Sequence, residues 1–299
     1  MPSPVGAIYS GRMGMVNTVG LVLHPRRDSK EAIDTIIEWA RGRGVTVLGL
    51  PEEVGRIDCS ALPVGPAELA ARSDLMVSLG GDGTMLRAMR LISGLPTPVL
   101  GVNLGKLGFL AEIDVEELPP ALTAIDGHEH FVEARMAVRT LLPDDGEVLA
   151  FNDIALVRHP GDGMAAVAVS VAGHPFVRLA ADAVIVATST GSTAYSFSAG
   201  GPIVSPNVEG FLVVPAAAHS TFNRALVLSA DEEVTLEVLP TSGHIAVEVD
   251  GTIAGHLSPG DRITVTAVRA AARVVRLGAT SFYERARRKL RVNGSAEVD

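Results

Sequence analysis

"VSLGGDGTMLRAM" (residues 77–89) takes an apolar run into two glycines, an aspartate, a third glycine and a threonine, after which apolar residues recur at helical spacing. This order predicts a buried strand, a tight turn and a helix over residues 85–92, with Thr84 as the N-cap. In a parallel sheet, the ligand crevice lies beyond the carboxyl ends of the strands. We therefore expect residues 80–84 to face a bound ligand.

Similar strand-like runs lie on both sides of this unit and alternate with helical patterns. They occupy residues 18–24, 45–50 and 97–103. Asp28 with Glu31 resembles a capping box, and the apolar residues that follow predict a helix. Strands that alternate with helices pair in parallel, so the sequence predicts an α/β domain with an open sheet over residues 16–125.

The pattern changes after residue 125. From residue 126 to 277, many short runs rich in Val, Thr and Ala are separated by Gly, Pro, Asp or His. This pattern is typical of a mostly β, sandwich-like domain. We expect the segment 278–299 to return to the N-terminal domain, as a helix or as an extended arm.

Composition narrows the class of protein. The 299 residues are 47% hydrophobic and 20% charged, which suits a globular chain with a large core. The net charge of -9 disfavours nucleic acid or an anionic membrane as the main partner. Cys59 is the single cysteine, and neither a signal-peptide pattern nor an apolar run of about 18 residues occurs, so we expect a cytoplasmic protein.

The glycine-rich turn has a chemical interpretation of its own. Gly80, Gly81 and Gly83 permit positive φ angles and close approach of a ligand, and the amides at the start of the helix can bind phosphate together with Thr84. Electrostatics alone would exclude Asp82 from a phosphate site. Its carboxylate therefore suits a hydroxyl or a magnesium ion, and it can orient an attacking alcohol and accept its proton late in phosphoryl transfer.

Three further stretches of sequence narrow the range of possible substrates. They are "GVNLGKLGFLAEI" (101–113), "FNDIAL" (151–156) and "DAVIVATSTGSTAYSFSAGGPIVSP" (182–206). Together with the Gly-Gly-Asp-Gly-Thr string, their order and spacing resemble the GGDGT kinases and, within them, the NAD kinase family. The resemblance covers roughly residues 74–255. It implies phosphorylation of the adenosine-ribose 2′-hydroxyl of NAD to NADP by ATP or polyphosphate with a divalent cation such as Mg²⁺, in a homodimer or homotetramer.

The resemblance also implies a role for individual residues. Asp82 would be the general base, Gly83 would lie against the substrate, Arg87 would reach phosphates, and Phe109 would pack against the adenine. The other substrate-binding positions that it implies, partly from a neighbouring subunit, are Asn152, Asp153, Asp182, Thr193, Ala194, Tyr195, Ser196, Ser198 and Asp250.

Three positions depart from the family pattern. Asp153 stands for the usual Glu, Ala183 for Gly, and Ser189 for Pro. None removes a reacting group, but they keep two alternatives open. The first is a GGDGT kinase of a lipid or of another nucleotide. The second is an NAD-binding paralogue with weak or no turnover.

Other charged residues have a less specific interpretation. Lys106 fits either phosphate binding or a solvated surface, and His128 with His130 fits a loop better than a metal site. A basic run holds Arg285, Arg287, Arg288, Lys289 and Arg291. It is typical of a solvated helix face, although it also suits attraction of the donor's phosphates or of a partner subunit.

Overall fold

The computed structural model describes residues 8–9, 15–105, 108–144, 146–278 and 281–292. Lys106 lies outside the described residues, as do parts of the predicted C-terminal segment. The chain divides into two compact units: Met1–Ala134 with Ala272–Asp299, and Arg135–Ala271. Residues 126–134 and 272–277, which the sequence pattern placed in the mostly β domain, lie in the first of these units.

The first unit is an α/β structure. Its strands are β1 (Ile8–Tyr9), β2 (Thr18–Leu23), β3 (Thr46–Gly49), β4 (Leu62–Pro63), β5 (Leu75–Gly80), β6 (Pro98–Asn103) and β7 (Ile113–Asp114). Its helices are α1 (Lys30–Arg41), α2 (Pro51–Ile57), α3 (Pro66–Arg72), α4 (Asp82–Leu91) and α5 (Leu118–Asp126), preceded by a 3₁₀ turn (Val115–Glu117), and α7 (Phe282–Leu290) near the C-terminus.

Parallel pairing orders this sheet as β6-β5-β2-β3-β4. Every residue of β5 and β6 is buried, because helices cover both faces of a parallel sheet. Helix α1 buries Ala32, Ile33, Ile36 and Ala40, the apolar positions that predicted it. The predicted capping box is wrong, since α1 begins at Lys30 and Asp28 Oδ1 only accepts the Lys30 N–H at 2.9 Å.

The second unit is almost entirely β. Two long strands, β8 (Phe131–Leu142) and β19 (Arg262–Arg276), contribute residues to both units. The others are β9 (Gly146–Ala150), β10 (Asp153–Arg158), β11 (Ala165–Val171), β12 (His174–Ala181), β13 (Ala183–Thr188), β14 (Gly210–Ala216), β15 (Leu226–Ser229), β16 (Glu233–Val238), β17 (Ile245–Val249) and β18 (Thr252–Leu257). A 3₁₀ turn (Thr190–Thr193) and the short helix α6 (Tyr195–Ser198) follow β13.

Antiparallel strands of this unit form a sandwich. One sheet has the order β15-β14-β13-β10-β17-β18, and a second contains the run β12-β11-β16-β19. Side chains of both sheets share one core, among them Val167 and Leu236 of the second sheet with Ile154 and Val247 of the first. The α/β unit and the mostly β unit confirm the predicted fold class.

Two kinds of feature are absent from the described part of the chain. No helix in it is long and apolar enough to cross a membrane. No group of three or more His, Cys, Asp or Glu side chains in it is placed to hold a metal ion. His128 lies in the loop after α5 with a φ of 56°, and its ring centroid is 6.5 Å from that of His130.

Candidate active site

The glycine-rich turn joins β5 to α4, as the sequence predicts, but the helix starts earlier. Gly81 is the N-cap and Asp82 is the first helical residue, so the prediction of Thr84 as N-cap is wrong. Asp and Gly are tolerated there because the first helical turn lacks intrahelical partners for its N–H groups. The positive end of the α4 dipole therefore lies at Asp82 itself.

The lack of a Cβ atom, and not a positive φ, is the property of glycine that matters in this turn. None of Gly80, Gly81 and Gly83 has a positive φ, so that expectation is wrong. A Cβ at Gly80 would overlap the Thr84 side chain, which is buried against the turn. A Cβ at Gly81 or Gly83 would meet open space, so these two positions leave the backbone accessible to a ligand.

The Asp82 carboxylate is held by three donors. Its Oδ1 accepts the Leu110 N–H at 3.0 Å, and its Oδ2 accepts the Phe109 N–H at 3.1 Å. Lys289 Nζ donates to the same Oδ2 at 3.1 Å. A Cβ at Gly108 would overlap Asp82 Oδ1, so the carboxylate reaches these amides only because position 108 is glycine.

Helix α7 brings Lys289 to this carboxylate. The side chain of Ser281 caps the helix by accepting the Glu284 N–H at 3.2 Å. Arg285 is only 4% exposed, and its Nη1 donates to the Ala111 carbonyl and to Glu112 Oε2, both at 3.1 Å. Glu112 is also paired with Arg276 at 2.7 Å. Burial, followed by the charge of Arg276, lowers the pKa of Arg285.

The aromatic ring expected to pack against adenine lies beside this helix. Phe109 is 8% exposed, and its ring centroid is 6.5 Å from that of Phe282. Lys289 Nζ lies over the Phe109 ring at 4.4 Å from the centroid, a cation–π contact. The basic run is therefore more than a solvated helix face: Arg285 is buried, and Lys289 contacts two candidate site residues.

Arg87 has partners within the protein. Its guanidinium pairs with Glu53 and donates to the Leu23 carbonyl, while Glu53 Oε2 accepts the Leu23 N–H at 2.7 Å. These contacts join α4 to α2 and to the end of β2. The guanidinium is thereby fixed, with 36% of the Arg87 side chain exposed.

A second group of candidate residues lies in the β unit, around Asp250. Asp250 Oδ1 accepts the Asn152 N–H at 2.7 Å and the Asp153 N–H at 3.3 Å, and Oδ2 accepts the Phe151 N–H at 3.3 Å. Asp250 and Gly251 have φ angles of 48° and 76° and form the two-residue loop between β17 and β18. Positive φ at both residues is typical of a type I′ hairpin, for which Asp-Gly is favoured.

The Asp153 side chain is buried next to other carboxylates. It is 4% exposed. Desolvation, together with the charges of Asp250 and Glu248, raises its pKa from 3.8 to about 7, although the Tyr195 backbone N–H donates to it and acts in the opposite direction. At neutral pH this carboxyl group is therefore partly protonated and can donate a hydrogen bond as well as accept one.

The hydroxyl-rich segment after β13 has buried and exposed positions. Gly191 packs so closely on the Asn152 carbonyl that a Cβ there would overlap it. Ser192 Oγ donates to the Ser189 carbonyl at 2.7 Å and accepts the Val204 N–H at 3.0 Å, which fixes the segment. Ser196 is fully buried. Thr193, Ala194, Tyr195 and Ser198 are partly or fully exposed.

Desolvation and three nearby carboxylates, of Glu248, Asp182 and Asp153, raise the pKa of Tyr195.

Asp182 has a partner that the motif did not predict. Arg158 Nε donates to Asp182 Oδ1, and the Arg158 N–H donates to the Asp182 carbonyl at 3.0 Å. Half of the Asp182 side chain remains exposed, so it can still contact a ligand. Arg158 ends β10 and Asp182 precedes β13, so their contact follows from the antiparallel pairing of these two strands, which the motif does not reveal.

Comparison with known proteins gives consistent matches to one family. Residues 19–129 match the family model for the ATP-NAD kinase N-terminal domain, and residues 151–277 match that for the ATP-NAD kinase C-terminal domain. An NAD kinase of Desulforamulus reducens is 35% identical over 92% of this chain and 98% of its own length.

Two solved structures are similar in fold. Yeast NADH kinase complexed with NADH has a TM-score of 0.85 and 26% identity, over 95% of this chain and 90% of that one. An NAD kinase from Archaeoglobus fulgidus in complex with ATP has a TM-score of 0.72 and 28% identity, over 93% of this chain and 100% of that one.

Proposed function

Because the chain belongs to the ATP-NAD kinase family, we propose that it transfers the γ-phosphoryl group of ATP to the adenosine-ribose 2′-hydroxyl of NAD and so produces NADP. One observation of the structure carries this proposal. It is the Asp82 carboxylate at the start of α4, fixed by the Phe109 and Leu110 amides beside an accessible backbone.

Asp82 is the proposed general base. Its carboxylate accepts a hydrogen bond from the 2′-hydroxyl and orients the oxygen toward the γ-phosphorus. As the bond from phosphorus to the 2′-oxygen forms, the bond from phosphorus to the bridging oxygen of ADP breaks, and the hydroxyl proton moves to Asp82. The catalysis that this requires is mainly positioning and electrostatic stabilisation.

The backbone of the glycine-rich turn is the proposed phosphate site. Gly80, Gly81 and Thr84 are proposed to line this site at the positive end of α4, and Gly83 to lie against the substrate. Arg87 is proposed to reach phosphates from its fixed position on the same helix.

A divalent cation such as Mg²⁺ is proposed to accompany ATP. Among the described residues no cluster of three acidic or His side chains is placed to bind it. Mg²⁺ is commonly held by substrate phosphates, water and one or two carboxylates. The cation would neutralise phosphate charge near Asp82.

The NAD-binding residues are proposed to lie mostly in the second unit. Asn152 and the partly protonated Asp153 offer both donors and acceptors to a ribose diol, and Asp250 fixes their backbone. Phe109 of the first unit is proposed to pack against the adenine, and Asp182 to bind the nicotinamide end. The remaining proposed positions are Thr193, Ala194, Tyr195, Ser196 and Ser198, of which buried Ser196 supports the segment from within.

We also propose a homodimer or homotetramer in the cytoplasm, where both NAD and ATP are available. Sedimentation velocity would measure the assembly state, and a purely monomeric protein at micromolar concentration would contradict this part of the proposal.

The proposed function can be tested by incubating purified protein with ATP, Mg²⁺ and one of three acceptors: NAD, NADH or diacylglycerol. We expect NADP from NAD, identified by mass spectrometry of the product. Phosphorylation of diacylglycerol instead would indicate a lipid kinase. NAD binding by calorimetry without any NADP would indicate a non-catalytic paralogue, and replacement of ATP by polyphosphate would identify the accepted donor.

A further inference from the structure

Lys289 is fixed next to the candidate catalytic carboxylate by the way α7 is attached to the first unit. The Ser281 cap begins the helix, and one turn before Lys289 the buried Arg285 pairs with Glu112. Arg285 and Lys289 are four residues apart and therefore lie on the same face of α7. The lysine ammonium is thus held 3.1 Å from Asp82 Oδ2 by a buried anchor.

The distances of phosphoryl transfer put the reacting phosphate within reach of this ammonium. A hydroxyl oxygen bonded to the carboxylate lies about 3 Å from it, and the phosphorus lies about 3–3.5 Å from that oxygen. Lys289 Nζ lies 3.1 Å from an oxygen of the same carboxylate, and the four-carbon stem of a lysine can rotate while α7 stays in place. Rotation of this stem would let the ammonium exchange Asp82 for an oxygen of the transferring group.

The charges of the site favour such a role. Asp82 repels a polyphosphate, whereas the Arg87 guanidinium is already paired with Glu53. Lys289 is paired with Asp82 itself and is about one-third exposed, so it can exchange this partner for a phosphate without leaving a buried charge.

We propose that Lys289 is a further active-site residue, which neutralises Asp82 when no donor is bound and donates to the terminal phosphoryl group of the donor once the donor is bound and throughout transfer. This inference rests on the proposed kinase function. It gives the C-terminal helix a direct part in the reaction, beyond packing.

Lys289→Met removes the ammonium and keeps most of the apolar stem, and Arg288→Met is the matched control. Arg288 is the adjacent residue of α7 and is paired with Glu284, so its loss changes the net charge equally without a contact to Asp82. We expect kcat of Lys289→Met to fall about 10²- to 10³-fold, as for other donors to a transition state. Arg288→Met is expected to keep wild-type kcat.

Two further measurements separate this role from a structural one. Ethylamine is expected to restore part of the turnover of Lys289→Ala in a concentration-dependent way, which a packing defect would not allow. Binding of the non-hydrolysable donor AMP-PNP, measured by calorimetry, is expected to weaken about tenfold in Lys289→Met and to remain unchanged in Arg288→Met.

The binding measurement does not depend on the acceptor. Absence of NADP from the wild-type reaction would refute the proposed function, while AMP-PNP affinity would still report on Lys289. Equal AMP-PNP affinity in the wild type and Lys289→Met would overturn the inference. A higher turnover in Lys289→Met than in the wild type would also overturn the inference, since it would mean that the ion pair with Asp82 blocks the site.

Discussion

Asp250 fixes the backbone of Asn152, a residue 98 positions away in the sequence, through a 2.7 Å hydrogen bond to its N–H. The same carboxylate also accepts hydrogen bonds from the N–H groups of Phe151 and Asp153, on either side of Asn152. Asp250 itself is in the left-handed region because it belongs to a hairpin loop. The hydrogen bonds thereby join a turn residue to residues 151–153, the segment that we propose binds NAD.

Asp250→Ala is expected to reduce the free energy of unfolding by about 2–3 kcal/mol, because three N–H groups lose their acceptor and alanine tolerates the left-handed region poorly. Asp250→Asn keeps an oxygen acceptor and a residue suited to positive φ. Urea unfolding should place it between the wild type and the alanine variant. Equal loss in both variants would mean that charge, and not acceptance by the carboxylate oxygens, holds the segment.

Burial of Asp153 predicts a pH-dependent stability. Its folded pKa of about 7 lies above the ordinary value of 3.8, so the folded state loses stability as pH rises through this window, and the loss is complete above pH 7. Asp153→Asn removes the buried charge. We expect its melting temperature to exceed that of the wild type at pH 8.5, by more than at pH 5.5.

Asp58→Asn makes the same change of residue type at an exposed position of the first unit and serves as the control. A difference in melting temperature between Asp153→Asn and the wild type that is the same at pH 5.5 and 8.5 would show that Asp153 is ionised throughout.

Gly108→Ala is expected to displace the Asp82 carboxylate, the proposed general base, because the added Cβ would overlap Asp82 Oδ1. A misplacement of about 1 Å can cost about 10² in rate, so kcat for NADP formation should fall by about that factor. Gly55→Ala is the matched control, since a Cβ there meets open space in helix α2. Wild-type kcat in Gly108→Ala would show that the amides of residues 109 and 110 do not position Asp82.

Asp82→Asn keeps the shape of the side chain and one acceptor oxygen but cannot take up a proton. We expect turnover to fall by about 10²–10⁴, the range for a positioned acid or base, with the dissociation constant for NAD nearly unchanged. Steady-state kinetics and calorimetry on the same sample check both parts. Unchanged turnover would remove Asp82 from the mechanism.

Local sequence patterns predicted the elements around the site well, because strand and helix periodicity is a local property. The buried strand predicted before the glycine-rich turn is observed as Leu75–Gly80. The helix after it begins at Asp82 and not after Thr84, since the first helical positions accept residues of low helix propensity. The pattern predicted no helix over Pro51–Ile57, which is only seven residues long and contains Gly55, a residue of low helix propensity.

Contacts between distant residues were beyond the reach of these patterns. The ion pair of Asp82 with Lys289 joins positions 207 residues apart. Nothing in the basic run distinguishes Lys289, which contacts Asp82, from Arg288, which is paired with its own helix. The raised pKa of Asp153 likewise depends on neighbours from another hairpin, which no local pattern places beside it.

Glu112 pairs with both Arg276 and Arg285 and so attaches α7, which has a practical consequence for the purified enzyme. Proteolytic cleavage between β19 and α7 would leave every recognisable motif in the larger fragment while releasing the guanidinium and ammonium groups that α7 supplies. The turnover of such material would be as low as that of an intact kinase with slow catalysis. Intact mass should therefore be established before low turnover is attributed to Asp153, Ala183 or Ser189.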